Sequence, residues 1–231
     1  MGKEMKLWMG LLLGALASVA SADCMKGQGD VVHARYDIYA GSQRYSVDFY
    51  RGADQVAWQR GEVISVWAHR DQVASLLRVF PQYQRTIWYP AGDLRALGKE
   101  AKWRGVAGWP DPQHHDYRMV SGSTSIVQGC PAQEYMGADG DKVLWLDQVK
   151  LPARMADAGV VWQLVSLQRV SREETFELWT QWQSTDFADV GDNESDPFLR
   201  RMISLGFVEH GASGFYRADG SPLQGADHHA H

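Results

Sequence analysis

The sequence predicts a mainly β chain of the α+β class: a strongly curved antiparallel sheet, a half barrel, with a few covering helices. Three observations predict it. Apolar and aromatic residues recur at period two between turn residues from Val31 onward. Helical spacing is confined to two short stretches. The chain also carries 10 Trp, 9 Tyr and 7 Phe, an aromatic supply suited to lining a concave face.

The first residues set the compartment. Lys3 and Lys6 precede an apolar run from Leu7 to Val19, and Ala20-Ser21-Ala22 offers the small-x-small pattern that signal peptidase accepts. Residues 1–22 are therefore expected to be a cleavable signal peptide and the mature protein to be periplasmic. The run is roughly 13 residues, short of the ~20 that span a bilayer, so no stable membrane span is expected after cleavage. Asp23 ahead of Cys24 argues against a lipid anchor. The formal net charge is −5, and losing Lys3, Glu4 and Lys6 makes the mature chain one unit more negative, which disfavours nucleic acid as a partner. Residues 23–218 are expected to form a single domain, with 219–231 a polar, His-containing, disordered tail.

Two cysteines, Cys24 and Cys130, are expected to pair in an oxidising compartment. In the chain-entropy view a loop this long gains roughly 4 to 5 kcal/mol from closure, as an upper figure. Thiolate metal ligation is the weaker alternative because no CxxC spacing is present.

Along the chain, Arg44 to Tyr50 places Tyr45, Val47 and Phe49 on one face and Arg44, Ser46 and Asp48 on the other. Gln55 to Arg60 and Val63 to His69 follow at hairpin distances across Gly52-Ala53-Asp54 and Gly61-Glu62. Arg85 to Tyr89 reads as a further strand ended by Pro90, and Ala91 to Lys102 as a helix. Gly105 to Asp116, rich in Gly and Pro, reads as an exposed loop. Ser123–Gln128, Ala132–Met136 and Lys142–Asp147 read as short strands, the last apolar on both faces through its middle. Val160–Arg169 and Phe176–Gln183 are expected to extend the meander. Asp196 to Gly206 reads as a short helix with Asp196 as N-cap, Pro197 at the first position and Gly206 as the left-handed stop.

Two stretches carry a family resemblance. Ser123-Thr124-Ser125-Ile126-Val127-Gln128-Gly129-Cys130-Pro131-Ala132-Gln133-Glu134-Tyr135 resembles the strand, Gly, kinked strand ending in Tyr of exported proteins similar to the outer-membrane lipoprotein carrier, the LolA/LolB-like superfamily. Lys142 to Asp147 followed by Leu151-Pro152 resembles that group's Trp-rich hairpin. The resemblance, over Val31 to Gln183, implies a half barrel whose mouth is closed by helices and whose hollow, in the carrier branch, holds acyl chains. The carrier is shorter and has no counterpart to the acidic segment Asp186 to Asp196 or to the His-bearing tail, so the fold is transferred and the activity is not.

Several constellations could carry chemistry. Trp58, Trp67, Trp88, Trp145 and Trp179 are the candidate lining of a hollow that takes a hydrophobic moiety, a lipid or a lipoprotein acyl chain; core filling is the bland alternative. His114, His115, His228, His229 and His231 are candidate ligands for copper or zinc, which would make the chain a periplasmic metal-binding accessory protein. The acidic segment Asp186–Asp196 is a possible protein-docking element; its carboxylate spacing is not that of a calcium-binding EF-hand. No nucleophile elbow, HExxH, phosphate loop or dinucleotide fingerprint is present, so no cofactor is expected and a non-enzymatic binding protein is the leading expectation.

Overall fold

The structure, a computed structural model, describes residues 24–70, 73–193 and 195–208. Residues 1–22, expected to be a signal peptide, and the tail bearing His228, His229 and His231 lie outside the described residues. A twelve-stranded, curved and unclosed sheet dominates the molecule. It is built from two meanders. The first comprises β1 (Val31–Ala40), β2 (Gln43–Arg51), β3 (Gln55–Arg60), β4 (Val63–Arg70), β5 (Val73–Phe80) and β6 (Arg85–Tyr89). The second comprises β7 (Arg118–Val127), β8 (Cys130–Met136), β9 (Lys142–Leu146), β10 (Leu151–Asp157) and β11 (Val160–Val170).

The meanders are fused by antiparallel pairing of β1 with β11, in register from Val31↔Val170 to Ala40↔Val160 apart from one bulge beside Arg35 and Tyr36. β12 (Gln183–Asp186) adds a short parallel strand against β6, so the order runs β12-β6-β5-β4-β3-β2-β1-β11-β10-β9-β8-β7. The segment before β1 is tied to this seam. A disulfide joins Cys24 to Cys130, and the Arg169 amide donates to the Lys26 carbonyl at 2.7 Å. Gly27, at φ +91°, passes so close to β11 that a Cβ there would collide with the Arg169 carbonyl oxygen.

Alternation along the strands creates two apolar surfaces. Tyr36, Ile38, Val47, Phe49, Val56, Trp58, Trp67, Leu76, Ile87, Val143, Trp145 and Trp162 point to the concave side and belong to the larger core. Their neighbours Val31, Ala57, Ile64, Val66 and Val79 form a smaller core on the convex side. A π-turn (Glu173–Glu177) running into α3 (Leu178–Thr180) covers the convex core with Phe176 and Trp179. The expected strand over Phe176–Gln183 is thus helical through Thr180. The reason is spacing: Phe176 and Trp179, three apart, are buried while Glu177 and Leu178 between them are exposed.

The concave side is closed by α1 (Ala91–Ala96), α2 (Trp103–Val106) and α4 (Pro197–Ser204), which contribute Leu94, Val106, Phe198, Leu199 and Met202. The helix expected over Ala91–Lys102 ends early, and Gly98 turns the chain at φ 64°. α4 has the anticipated ends. The Asp196 carboxylate accepts from the Phe198 amide at 2.8 Å, and Gly206 sits at φ 71°.

Candidate functional site

The site is assembled on the concave face from residues of high β propensity on four neighbouring strands. β1 contributes Tyr36, β2 Phe49, β3 Trp58 and β11 Trp162, brought together by the register that joins the meanders. Into this box descends the loop after α2. Trp109 stands with its ring centroid 5.0 Å from Tyr36, 5.1 Å from Trp58, 5.3 Å from Phe49 and 5.7 Å from Trp162. The crossings with Trp58, Phe49 and Trp162 are edge-to-face, the favoured arrangement for aromatic quadrupoles. Trp109 is only 8% exposed. The loop expected to be exposed therefore plugs the concave face with its apolar half: Val106, Gly108, Trp109 and Pro112 are buried while Gln113 to Asp116 stay at the surface.

What holds the plug is sparse. The Trp58 indole N–H donates to the Val106 carbonyl at 2.9 Å. Outside the apolar box, the loop is tied to β8 and to the β9–β10 turn by polar side chains. Gln113 donates to the Tyr135 hydroxyl at 3.1 Å and to Asp147 at 3.0 Å. Lys150 reaches Asp111 at 3.1 Å and Asp147 at 2.5 Å. Burial pushes the Asp111 carboxyl up, but the Gln113 amide and Lys150 outweigh it and hold the group below its ordinary range. Exposed ion pairs of this kind are screened by solvent and contribute little. On the wall side, Arg51 donates to the carbonyls of Val149 and Lys150, and burial lowers its guanidinium from the usual value.

Toward β5 the concave core carries cations. Arg78 is 3% exposed and donates to the Phe207 carbonyl at 3.0 Å. Burial, reinforced by the nearby Arg78 charge, brings the Lys99 ammonium down to about 8. Beyond them, a small recess opens between α4 and the β3–β4 turn, lined in part by Val63, Phe80, Tyr83 and Met202.

The residues singled out from sequence fall in three groups. Trp58, Trp67 and Trp145 line the concave face, at 6%, 1% and 1% exposure. Trp88 and Trp179 do not: Trp88 pairs with Leu77 on the convex side and is 42% exposed, and Trp179 packs on the convex core. Strand parity decides this, since Ile87 and Tyr89 take the concave positions of β6. His114 and His115 are exposed on the turn after Pro112, with His114 Nδ1 3.6 Å from Asp111. Among the described residues no group of three or more His, Cys, Asp or Glu gathers at metal-binding distance. In the acidic segment, Asp186 caps the following turn and Asp196 pairs with Arg85 at 2.9 Å. Sequence reasoning missed Trp109 as a site residue. Its flanking Gly and Pro in an otherwise polar loop were the available signal.

The convex face holds a contrasting polar cluster. Asp48 accepts both Nε and Nη2 of Arg35, at 3.0 and 2.9 Å, and meets His33 Nε2 at 2.6 Å. His33 stacks on Tyr50 at 4.3 Å, and Gln168 lies 3.1 Å from its Nδ1. Burial pushes the Asp48 carboxyl up, but the hydrogen bonds from His33 and Arg35 outweigh it and hold the group below its ordinary range.

No protein-family model and no curated protein matches the chain. Among solved structures it is similar to MucB of Pseudomonas aeruginosa in complex with MucA, at 15% identity over 62% of this chain and 54% of that one, with a TM-score of 0.35. A crystal structure of MucB gives 14% identity over 67% and 58%, with a TM-score of 0.35. A DUF1329 family protein from Desulfovibrio piger gives 10% identity over 63% and 89%, with a TM-score of 0.25. The chain spans a little over half the length of the MucB chains it matches.

Proposed function

We propose that this chain is an exported, non-enzymatic binding protein whose concave aromatic face takes the hydrophobic moiety of a lipid or lipoprotein when the Trp109 plug moves aside. One observation carries the reading. The centre of the concave face is filled by a loop whose outer ties are exposed pairs to the β9–β10 turn, while the wall behind it is a continuous hydrogen-bonded sheet. A rigid aromatic wall behind a weakly tethered plug can exchange that plug for another apolar group. Transfer of an acyl chain contributes about 0.8 kcal/mol per buried methylene, so a chain of ten or more carbons offsets both the outer ties and the roughly 3 to 5 kcal/mol of packing that Trp109 gives up.

The compartment belongs to the same proposal. The leader at residues 1–22, read from sequence, and the Cys24–Cys130 disulfide support export to an oxidising compartment. The residues 23–218 act as one binding domain.

Titrating a fluorescent long-chain acyl probe into the mature protein is expected to give saturable one-to-one binding with quenching of tryptophan emission. Trp109→Ala is expected to tighten that binding at least severalfold, since the ligand no longer competes with the plug. Failure of the probe to bind either protein contradicts the reading.

A further inference from the structure

Two indoles on the concave side bury their N–H groups without a partner. The Nε1 atoms of Trp109 and Trp145 are sealed from solvent and meet no acceptor among the described residues. Both side chains are more than nine-tenths buried, at 8% and 1% exposure. Trp58 in the same core shows the ordinary outcome, its N–H donating to the Val106 carbonyl at 2.9 Å. A donor stripped of water and left unpaired costs free energy, and native interiors seldom tolerate one without a reason.

The two orphans differ in where they are mounted. Trp109 rides on the plug and leaves with it. Trp145 is fixed in the wall: it lies on β9, in register with Gln133 of β8 and Pro152 of β10, on the same face as Val143. When the plug moves, Trp109 can satisfy its N–H with water, and Trp145 remains as a fixed donor surrounded by apolar groups. A pure hydrocarbon entering there would leave that donor unpaired. A chain carrying a carbonyl oxygen at its head would pair it.

Resting on the ligand-binding reading above, we infer that Trp145 is a specificity residue, donating its indole N–H to the carbonyl oxygen of an acyl ester or amide and so selecting carbonyl-headed chains over plain hydrocarbon. No covalent step is involved. The apolar wall supplies affinity, and the single donor supplies discrimination, as in sites where one buried polar group rejects ligands that leave it unpaired.

The test uses displacement of a fluorescent acyl probe from the mature protein by methyl decanoate, N-methyl decanamide and undecane. In Trp145→Phe the ratio of ester to alkane affinity is expected to fall about tenfold with alkane affinity nearly unchanged. Trp88→Phe, on the convex side and outside the hollow, is expected to keep the ratio. The amide arm separates amide-linked from ester-linked chains as the better ligand. An unchanged ratio in Trp145→Phe overturns the inference while leaving ligand binding intact; absence of binding by all three compounds to the unaltered protein overturns the underlying reading instead. A second measurement needs no substitution in the protein under study. The Trp145 indole proton resonance is expected to move downfield with ester and to stay in place with alkane. A resonance already hydrogen-bonded without ligand, and unmoved by ester, contradicts the inference.

Discussion

Both faces of the sheet carry an apolar core, but they differ in how much directional contact is added to it. On the convex face, directional contacts join neighbouring strands: Asp48 gathers Arg35 and His33 across the β1–β2 pair, and Asp37 takes Arg44 at 2.6 Å and Ser46 at 2.7 Å. On the concave face, segments distant in sequence meet through aromatic rings, and the plug is joined to the wall by few hydrogen bonds. Directional, local contacts fix a register. Ring-on-ring contacts conserve burial while tolerating exchange of one apolar occupant for another. The difference teaches that the sheet's shape and its contents are specified separately, which is what a container requires.

The comparison can be broken from either side. The largest effect is expected from Trp58→Ala, which removes a wall ring touching Phe49, Trp109 and Trp162. It should destabilise the fold by about 3 to 5 kcal/mol, read by denaturant unfolding. A loss below 1 kcal/mol would mean that the wall is not packed as described.

Asp48→Ala comes next. It leaves Arg35 and His33 without their shared carboxylate, and about 1 to 3 kcal/mol is expected. The pH dependence has a definite sign. The folded-state carboxyl titrates below its ordinary value of 3.8. The stability it contributes is therefore fully present above that value and is lost as pH falls through the folded one. Acid unfolding of Asp48→Asn should accordingly be shallower than that of the unaltered protein as pH falls below about 4. Parallel curves would show that Asp48 carries no such linkage.

Arg44→Ala should have the smallest effect. Its side chain is 63% exposed beside Asp37, and an exposed pair of this kind is screened by solvent, so its loss should cost less than that of Asp48. A larger loss would show that the convex lattice behaves as one cooperative network.

These residues also show what was legible in the chain. The alternation of Tyr45, Val47 and Phe49 identified β2 and its two faces directly, and Asp196, Pro197 and Gly206 marked both ends of α4. β5 was hidden because it is covered on both sides: Leu76 belongs to the concave core and Val79 to the convex one, so no polar face alternates with the apolar. β10 was masked by Pro152, which the strand tolerates beside a register shift and whose carbonyl accepts the Tyr36 hydroxyl at 3.0 Å. The site was only half visible. A strand's period separates two faces without saying which is concave, so Trp88 was assigned to the wrong side. Trp109 owes its role to tertiary burial, which local sequence does not encode.

The central claim is that the plug, and not the wall, yields to a ligand. Amide hydrogen exchange of the mature protein with and without saturating acyl probe tests it most directly. Exchange across residues 103–117 is expected to accelerate on binding while β1, β2, β3 and β11 stay protected. Unchanged or slower exchange at 103–117, with loosening of the strands instead, would contradict the account.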